Sequence, residues 1–296
     1  MGFSLKERGT PRVDPQTCTG CGQCVEICPD RVLELHEGKA RATDGIFMGC
    51  VACGHCVAIC PTAAVAVTGR TMRADDGFDP PLQRATAEQL EALLFWRRSV
   101  RRFTAREVER ETIDRILAMT AAAPMGIPPS DVGVVVLLGR EKVQAFATDA
   151  CALFARQAKG FSGWRLAHMR LFMGKAGYEV MRDFVRPLLE MLAGERAAGR
   201  DAFTYDAPAA LLFHHGQTAD SADVHIAATY AMLAAESLGL GSCLLGTAVA
   251  FNFDKAFRQR HGIPVDNKVG LMLALGYPDV QFRRGVRRRL ADVKFA

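Results

Sequence analysis

Eight of the ten cysteines fall into two runs of identical spacing. The first is Cys18-Thr-Gly-Cys21-Gly-Gln-Cys24-Val-Glu-Ile-Cys28-Pro29, and the second is Cys50-Val-Ala-Cys53-Gly-His-Cys56-Val-Ala-Ile-Cys60-Pro61. Each reads C-x2-C-x2-C-x3-C-P, the ligand run of a [4Fe–4S] cluster, in which the fourth cysteine serves the other cluster of a pair. Cys18, Cys21, Cys24 and Cys60 are thus expected to hold one cluster, and Cys50, Cys53, Cys56 and Cys28 the second. Three thiolates two residues apart on a tight loop can wrap three corners of a cubane. The fourth lies past a short helical turn that the following proline ends, so it points to the neighbouring site. Gly20, Gly22 and Gly54 allow the close backbone approach. Zinc ribbons need only four cysteines in two pairs, and structural disulfides require an oxidising compartment.

A second group of chemistry-bearing residues is Arg97-Arg98-Ser99-Val-Arg101-Arg102-Phe103. Guanidinium forks and a hydroxyl suit phosphate, although a basic cluster at a helix end is as readily explained by the helix dipole and solvent. A basic group recurs at Arg283-Arg-Gly-Val-Arg287-Arg288-Arg289. Neither a Ser–His–Asp nor a Cys–His nucleophile set stands out. Cys151 and Cys243 read as small buried apolar residues. His214-His215, Tyr178 and Tyr205 carry no pattern that marks a proton donor.

The elements that must position these groups divide the chain in two. Residues 1–72 hold 7 basic and 7 acidic side chains, leaving 30 and 25 for the remainder, which therefore supplies the whole net charge of +5. Thiolate-bound clusters would make the first part anionic against a cationic second part, an asymmetry suited to docking or to capture of a phosphate-bearing cofactor. Nucleic-acid binding is disfavoured because the arginines are not interleaved with aromatics. The first residues lack the apolar core of a signal peptide, and no apolar run approaches a membrane span. Free-thiol and cluster chemistry point to the cytoplasm.

Within residues 1–72 the cysteine runs repeat after 32 residues, each followed by an alternating apolar segment, Val32–Leu35 and Val65–Val67, which predicts short flanking strands. Residues 73–85, with Pro80-Pro81, read as a linker. Thr86-Ala-Glu-Gln89 is a capping box opening a helix that carries Leu90, Leu93, Leu94 and Trp96. A second helix covers Thr112 to Ala121 with Ile113, Ile116 and Leu117 on its buried face. A stiff loop with Pro124, Met125, Gly126 and Pro128 precedes a buried strand over 132–138. Further buried strands are expected over 209–213 and 269–275.

Residues 142–200 form a long helical stretch rich in Phe, Met and Leu, among them Phe154, Phe161, Trp164, Met169, Phe172, Met173, Tyr178, Met181 and Phe184. Helix core explains most of them, and a cover over a substrate pocket is the alternative. Ser221 or Asp223 caps a later helix, which ends at a glycine loop, Leu238-Gly-Leu-Gly-Ser-Cys-Leu-Leu-Gly246. Short apolar strands between long helices argue an α+β or α/β architecture.

Residues 1–72 resemble the bacterial two-cluster ferredoxins. From about Thr86 onward the chain resembles the FMN-dependent nitroreductase family. The signs are Arg-Arg-Ser-x-Arg-x-Phe after the first helix, the Pro/Met loop, Leu-Gly-Leu-Gly-Ser-Cys-x-x-Gly, and Gly276-Tyr-Pro278 with its trailing arginines. The resemblance implies an α+β protein in which a ferredoxin-like domain (1–72) and linker (73–85) precede a three-layer α/β/α FMN domain (86–296) with a helical insertion at about 142–200. It implies that Arg97, Arg98, Ser99 and Arg101 hold FMN and that Arg287 or Arg288 takes its phosphate. Leu245 and Gly246 would face the flavin through their backbone, and Pro124, Met125 and Gly126 would reach it from the partner of a homodimer. The family loop often carries Asn and Gln where this chain has Gly126 and Pro128, which argues against a standard nitroaromatic specificity.

The fusion suggests a converter. Single electrons from a low-potential donor, a ferredoxin or NAD(P)H, pass through two [4Fe–4S] clusters to FMN, which reduces an organic acceptor such as a nitro or activated unsaturated compound. A non-catalytic electron carrier or redox sensor is the alternative, and reductive dehalogenation or flavin fragmentation is further chemistry of the fold.

Overall fold

The computed structural model describes residues 7–126, 131–161, 163–217 and 219–295. The chain divides into two compact units. One runs to Arg84 and includes Pro124–Val132 and His215–Asp223; the other comprises Ala85–Ala123, Gly133–His214 and Val224 onward. Pro128 lies outside the described residues, and nothing is described of the side chains of Trp164, Met169 and Phe172.

In the first unit the duplication in the sequence becomes a duplication in space. Strand β1 (Thr10–Val13) pairs antiparallel with β4 (Val65–Thr68), Thr10 opposite Thr68, while β2 (Leu33–His36) pairs with β3 (Lys39–Ala42). Glu37 and Gly38 turn the β2–β3 hairpin with φ of 49° and 74°, the left-handed pair that a type I′ two-residue turn requires. The single-turn helices α1 (Gln23–Glu26) and α2 (His55–Ile59) begin at Gly22 and Gly54, with φ of 77° and 75°. The core is made of Val32, Leu33, Val65 and Val67 together with Cys18, Cys24 and Cys56, so the ligands are themselves core residues.

In the second unit Thr86 and Gln89 close the expected capping box at the start of α3 (Ala87–Trp96), but α3 buries no side chain. Leu90, Leu94, Phe95 and Trp96 stay exposed. Helix α4 (Arg110–Ala121) buries Ile113 and Ile116. A four-stranded sheet follows in the order β5 (Val132–Leu138), β6 (Ala209–His215), β8 (Lys268–Gly276), β7 (Gly241–Leu245). Two expectations change here. The stretch 241–245, read as part of a glycine loop, is a strand antiparallel to β8, and β5 is half-buried because it lies at a sheet edge.

Every residue of β6, and all of β8 after Lys268, is buried, so both faces of the sheet are covered and it forms a central layer. One face contributes Ala210, Leu212, Cys243, Met272 and Ala274 to a cluster with Phe146, Ala150 and Phe154 of α5 (Arg140–Gly160) and Leu189 and Leu192 of α7 (Arg186–Ala197). Between these helices lie α6 (Gly163–Val180), interrupted at Gly174, and a π turn over Met181–Val185. The aromatics of 142–200 therefore divide: Phe154 is core, whereas Phe184 is exposed. Asp220, rather than Ser221 or Asp223, receives the Ala222 amide (2.8 Å) at the start of α8 (Ser221–Ser237). A 3-10 run, Gly246–Phe253, leads to α9 (Lys255–Arg260). Among the described residues no helix is long and apolar enough to cross a membrane.

Candidate functional site

The eight cysteines sort into two cups. Cys18, Cys21 and Cys24 line one together with Cys60 of the second run; Cys50, Cys53 and Cys56 line the other together with Cys28 of the first. The crossing has a local cause. Val32 N donates to Cys28 Sγ (3.4 Å) and Ala64 N donates to Cys60 Sγ (3.2 Å), so each fourth cysteine is turned by an amide four residues on. Burial, then the charges of Cys50, Cys53 and Cys28, push the Cys56 thiol up to about 12. Burial, with Cys60, Cys18 and Cys21, likewise raises Cys24. Cys60 differs: burial works to raise it, but hydrogen bonds from Thr62 and the Ala64 amide hold it below the usual thiol range. Thiols as buried as those of Cys24 and Cys56 become thiolates most readily when a shared cation is bound.

The donor set fits a four-iron core better than a single ion. Among the described residues no three His, Cys, Asp or Glu side chains converge tightly enough for one metal, as a tetrahedral zinc would demand. A Cβ on Gly9 would stand 2.8 Å from Cys50 Sγ, and one on Gly20 would overlap the Gly38 carbonyl, so backbone closes both cups where a side chain has no room. Two supporting groups were not marked by the sequence. Buried Asp30 accepts from the amides of Gly49 (2.5 Å) and Met48 (3.2 Å) and fixes the approach to Cys50. Arg70, whose guanidinium is pushed down by burial, sits close enough to Cys50 for the sulfur's charge to oppose that shift. Their signal is tertiary: neither belongs to a spaced motif.

In the second unit Arg97 ends α3, and the run that follows is extended along β7. Ser99 bridges Ser242 in parallel, Val100 N donates to Ser242 O (2.9 Å), and Phe103 bridges Pro278. The arginines of this region are not equivalent. Arg102 pairs with Asp279 at 3.0 Å and Arg106 with Glu109 at 2.7 Å, whereas among the described residues Arg97, Arg98 and Arg101 form no ion pair. Glu236 lies close enough to Arg97 and Arg98 for both to oppose the rise that burial gives its carboxyl, so their charge is offset in part. Among the described residues Arg101 is then the cation left for an anionic ligand with no acidic neighbour of this kind. The buried Ser242 hydroxyl also finds no partner among the described residues.

Leu245 is buried at the end of β7, and Gly246 follows it. Pro124, Met125 and Gly126 belong to the first unit, where the Gly126 amide donates to Asp223 Oδ1 (3.1 Å). Arg287 and Arg288 lie on an exposed, irregular C-terminal segment. The structure thus gathers Arg97, Ser99 and Arg101 with β7, and does not bring Arg287 or Arg288 to an ion pair among the described residues.

Sequence reasoning passed over two neighbours of Arg101. Burial pushes the Cys243 thiol up even though Arg101 pulls the other way, so this cysteine is a neutral, buried group. The Tyr205 ring centroid lies 5.8 Å from the Arg101 guanidinium carbon. Burial works to raise the Asp201 carboxyl, yet hydrogen bonds from Thr204, the Asp206 amide and Gln144 hold it below the usual range.

A central sheet covered on both faces, an arginine run beside its edge strand β7 and two four-cysteine cups define an iron–sulfur protein fused to an α/β domain of flavoenzyme type. The Nitroreductase family model matches residues 94–277, and the 4Fe-4S dicluster domain model matches residues 17–64. The chain belongs to the nitroreductase family and carries a 4Fe–4S dicluster domain in front of the family fold.

Among solved structures, a nitroreductase with bound FMN from Bacteroides fragilis aligns with a TM-score of 0.54 at 20% identity, covering 71% of this chain and 100% of that one. Ferredoxin-2 of Desulfomicrobium norvegicum is 48% identical over 40 residues, 14% of this chain and 58% of its own length. Ferredoxin-1 of Nitratidesulfovibrio vulgaris is 55% identical over 31 residues, 10% of this chain and 50% of its own length. The chain thus spans less than two thirds of the length of these curated relatives.

Proposed function

We propose that this protein is an FMN-dependent oxidoreductase that relays single electrons through its two [4Fe–4S] clusters to the flavin and reduces an organic acceptor. The observation that carries the reading is the sorting of eight cysteines into two crossed cups, on a chain whose remaining fold is that of the nitroreductases. Bound FMN supplies exchange between one-electron and two-electron chemistry, and hydride delivery to nitro or activated unsaturated compounds.

The chain's residues supply position, charge and dryness. Arg97, Arg98, Ser99 and Arg101 hold the flavin, their unpaired guanidiniums offsetting its phosphate and the negative charge of its reduced ring. Leu245 and Gly246 contribute backbone at the end of β7. Arg287 or Arg288 takes the phosphate, and Pro124, Met125 and Gly126 reach the flavin from the partner of a homodimer. The exposed apolar side of α3 supports that assembly, since such a face on an isolated chain marks an interface. Cys18, Cys24 and Cys56 are buried at the cup walls, and no protein nucleophile is required. The donor is a soluble ferredoxin or NAD(P)H, and the protein works in the cytoplasm.

The test is anaerobic purification with iron, sulfide and flavin quantified, followed by stopped-flow reduction with reduced ferredoxin, NADH and NADPH. Flavin bleaching that follows cluster bleaching, and is lost when the cup cysteines are replaced, is the expected result. Protein that carries zinc and no flavin overturns the reading.

A further inference from the structure

Tyr205 and Asp206 both occupy the left-handed region, with φ of 57° and 54°. That conformation is unfavourable for a bulky aromatic residue and persists only where the surroundings impose it. The imposing group is Asp201. Its Oδ1 accepts from the amides of Phe203 (3.0 Å) and Thr204 (2.8 Å), and its Oδ2 accepts from the Thr204 hydroxyl and the Asp206 amide (3.1 Å). Gln144 of α5 donates to both Asp201 (2.9 Å) and Asp206 (2.8 Å), and Arg196 of α7 donates in turn to Gln144.

One further side chain ties this loop to the arginine run. Arg140 donates to the Asp206 carbonyl and to the Thr104 carbonyl (2.7 Å), three residues beyond Arg101. Both ends of the Tyr205–Arg101 contact are therefore anchored to the start of α5. A loop built only to close the fold would be better served at position 205 by Gly or Asn, which adopt this φ at low cost.

We propose that Tyr205, held in its strained conformation by Asp201, is a positioning residue that orients the Arg101 guanidinium toward FMN. The proposal rests on the reading of Arg101 as a flavin-binding residue.

The experiment uses the full chain, purified anaerobically, and measures FMN dissociation constant, flavin midpoint potential and thermal midpoint for Tyr205→Gly, Tyr205→Phe, Asp201→Asn and Arg101→Ala. Tyr205→Gly is expected to weaken FMN binding about 3- to 30-fold. It should also move the potential to more negative values, because a misplaced cation no longer stabilises the reduced flavin. Its thermal midpoint should hold or rise as the strain is relieved. Tyr205→Phe should restore affinity and potential, and Asp201→Asn should weaken both.

Affinity and potential unchanged in Tyr205→Gly, while Arg101→Ala loses both, overturns the positioning role and leaves the flavin site intact. No effect in Arg101→Ala either overturns the flavin reading itself. If Tyr205→Gly does not fold, Tyr205→Asn carries the same expectations.

Discussion

The amide of Ala64 donates to the sulfur of Cys60 across 3.2 Å, and Cys60 lines the cup of the first cysteine run although it belongs to the second. This bond and its counterpart from Val32 to Cys28 make the two clusters interdependent in sequence but separate in space. Cys60→Ala should therefore remove about half of the iron, the share of one cluster. Cys24→Ala with Cys60→Ala should lose no more than either alone, since both empty one cup. Cys24→Ala with Cys28→Ala should lose nearly all. Iron analysis of the anaerobic proteins decides it, and the reverse pattern would show that the runs do not cross.

Removal of iron should unfold the first unit locally. Cys18, Cys24 and Cys56 are packed with Val65 and Val67, so the bound metal and the small core are one unit and binding free energy is folding free energy. Chelation under oxidant is expected to make the amides of β1 and β4 exchange rapidly, while those of β6 and β8 stay protected. Equal protection before and after chelation would contradict this.

In the second unit Phe251 is fully buried, stacked on Phe257 at 4.5 Å and Phe154 at 5.8 Å, with Phe146 edge-on at 5.5 Å. Phe251→Ala leaves a cavity among rings that cannot collapse into it and should cost about 3–5 kcal/mol. Denaturant unfolding followed at the flavin reports this value. A cost below about 1 kcal/mol would mean that the cluster repacks freely.

His261 lies against the rings of Phe146 and Phe257, at 4.6 and 4.4 Å, with Asp149 Oδ2 at 3.2 Å from Nε2. Burial lowers its pKa, and Asp149 opposes this without reversing it. The unfolded chain therefore binds the proton more readily than the folded one, so stability is greatest above the ordinary histidine pKa of 6.5 and falls as pH drops below it. His261→Phe keeps the ring packing and should flatten the dependence between about pH 5 and 7. Thermal midpoints across that window, compared with wild type, measure it; an unchanged slope would assign the dependence to another group.

Helix α3 carries Leu90 and Leu94 one turn apart, both exposed. If this face seals the proposed homodimer, Leu90→Glu with Leu94→Glu should shift the sedimenting species to monomer and release FMN, with helix content retained. A dimer that persists would place the interface elsewhere.

What the chain alone determined is whatever depends on covalent spacing. The cysteine runs announced two clusters, because three thiolates two residues apart on one loop can wrap three corners of a cubane. Thr86 and Gln89 announced a helix start, because a cap is a contact three residues long. The arginine run and the glycine-rich segment announced the family. The strand at 241–245 was hidden, because its pairing with β8 outweighs the local freedom of its glycines. The selection among arginines was hidden as well: Arg102 meets Asp279 and Arg101 meets Tyr205 only once distant segments are packed together. Burial, ion pairing and the strain at Tyr205 are properties of neighbours far apart in the chain, and no local pattern encodes them.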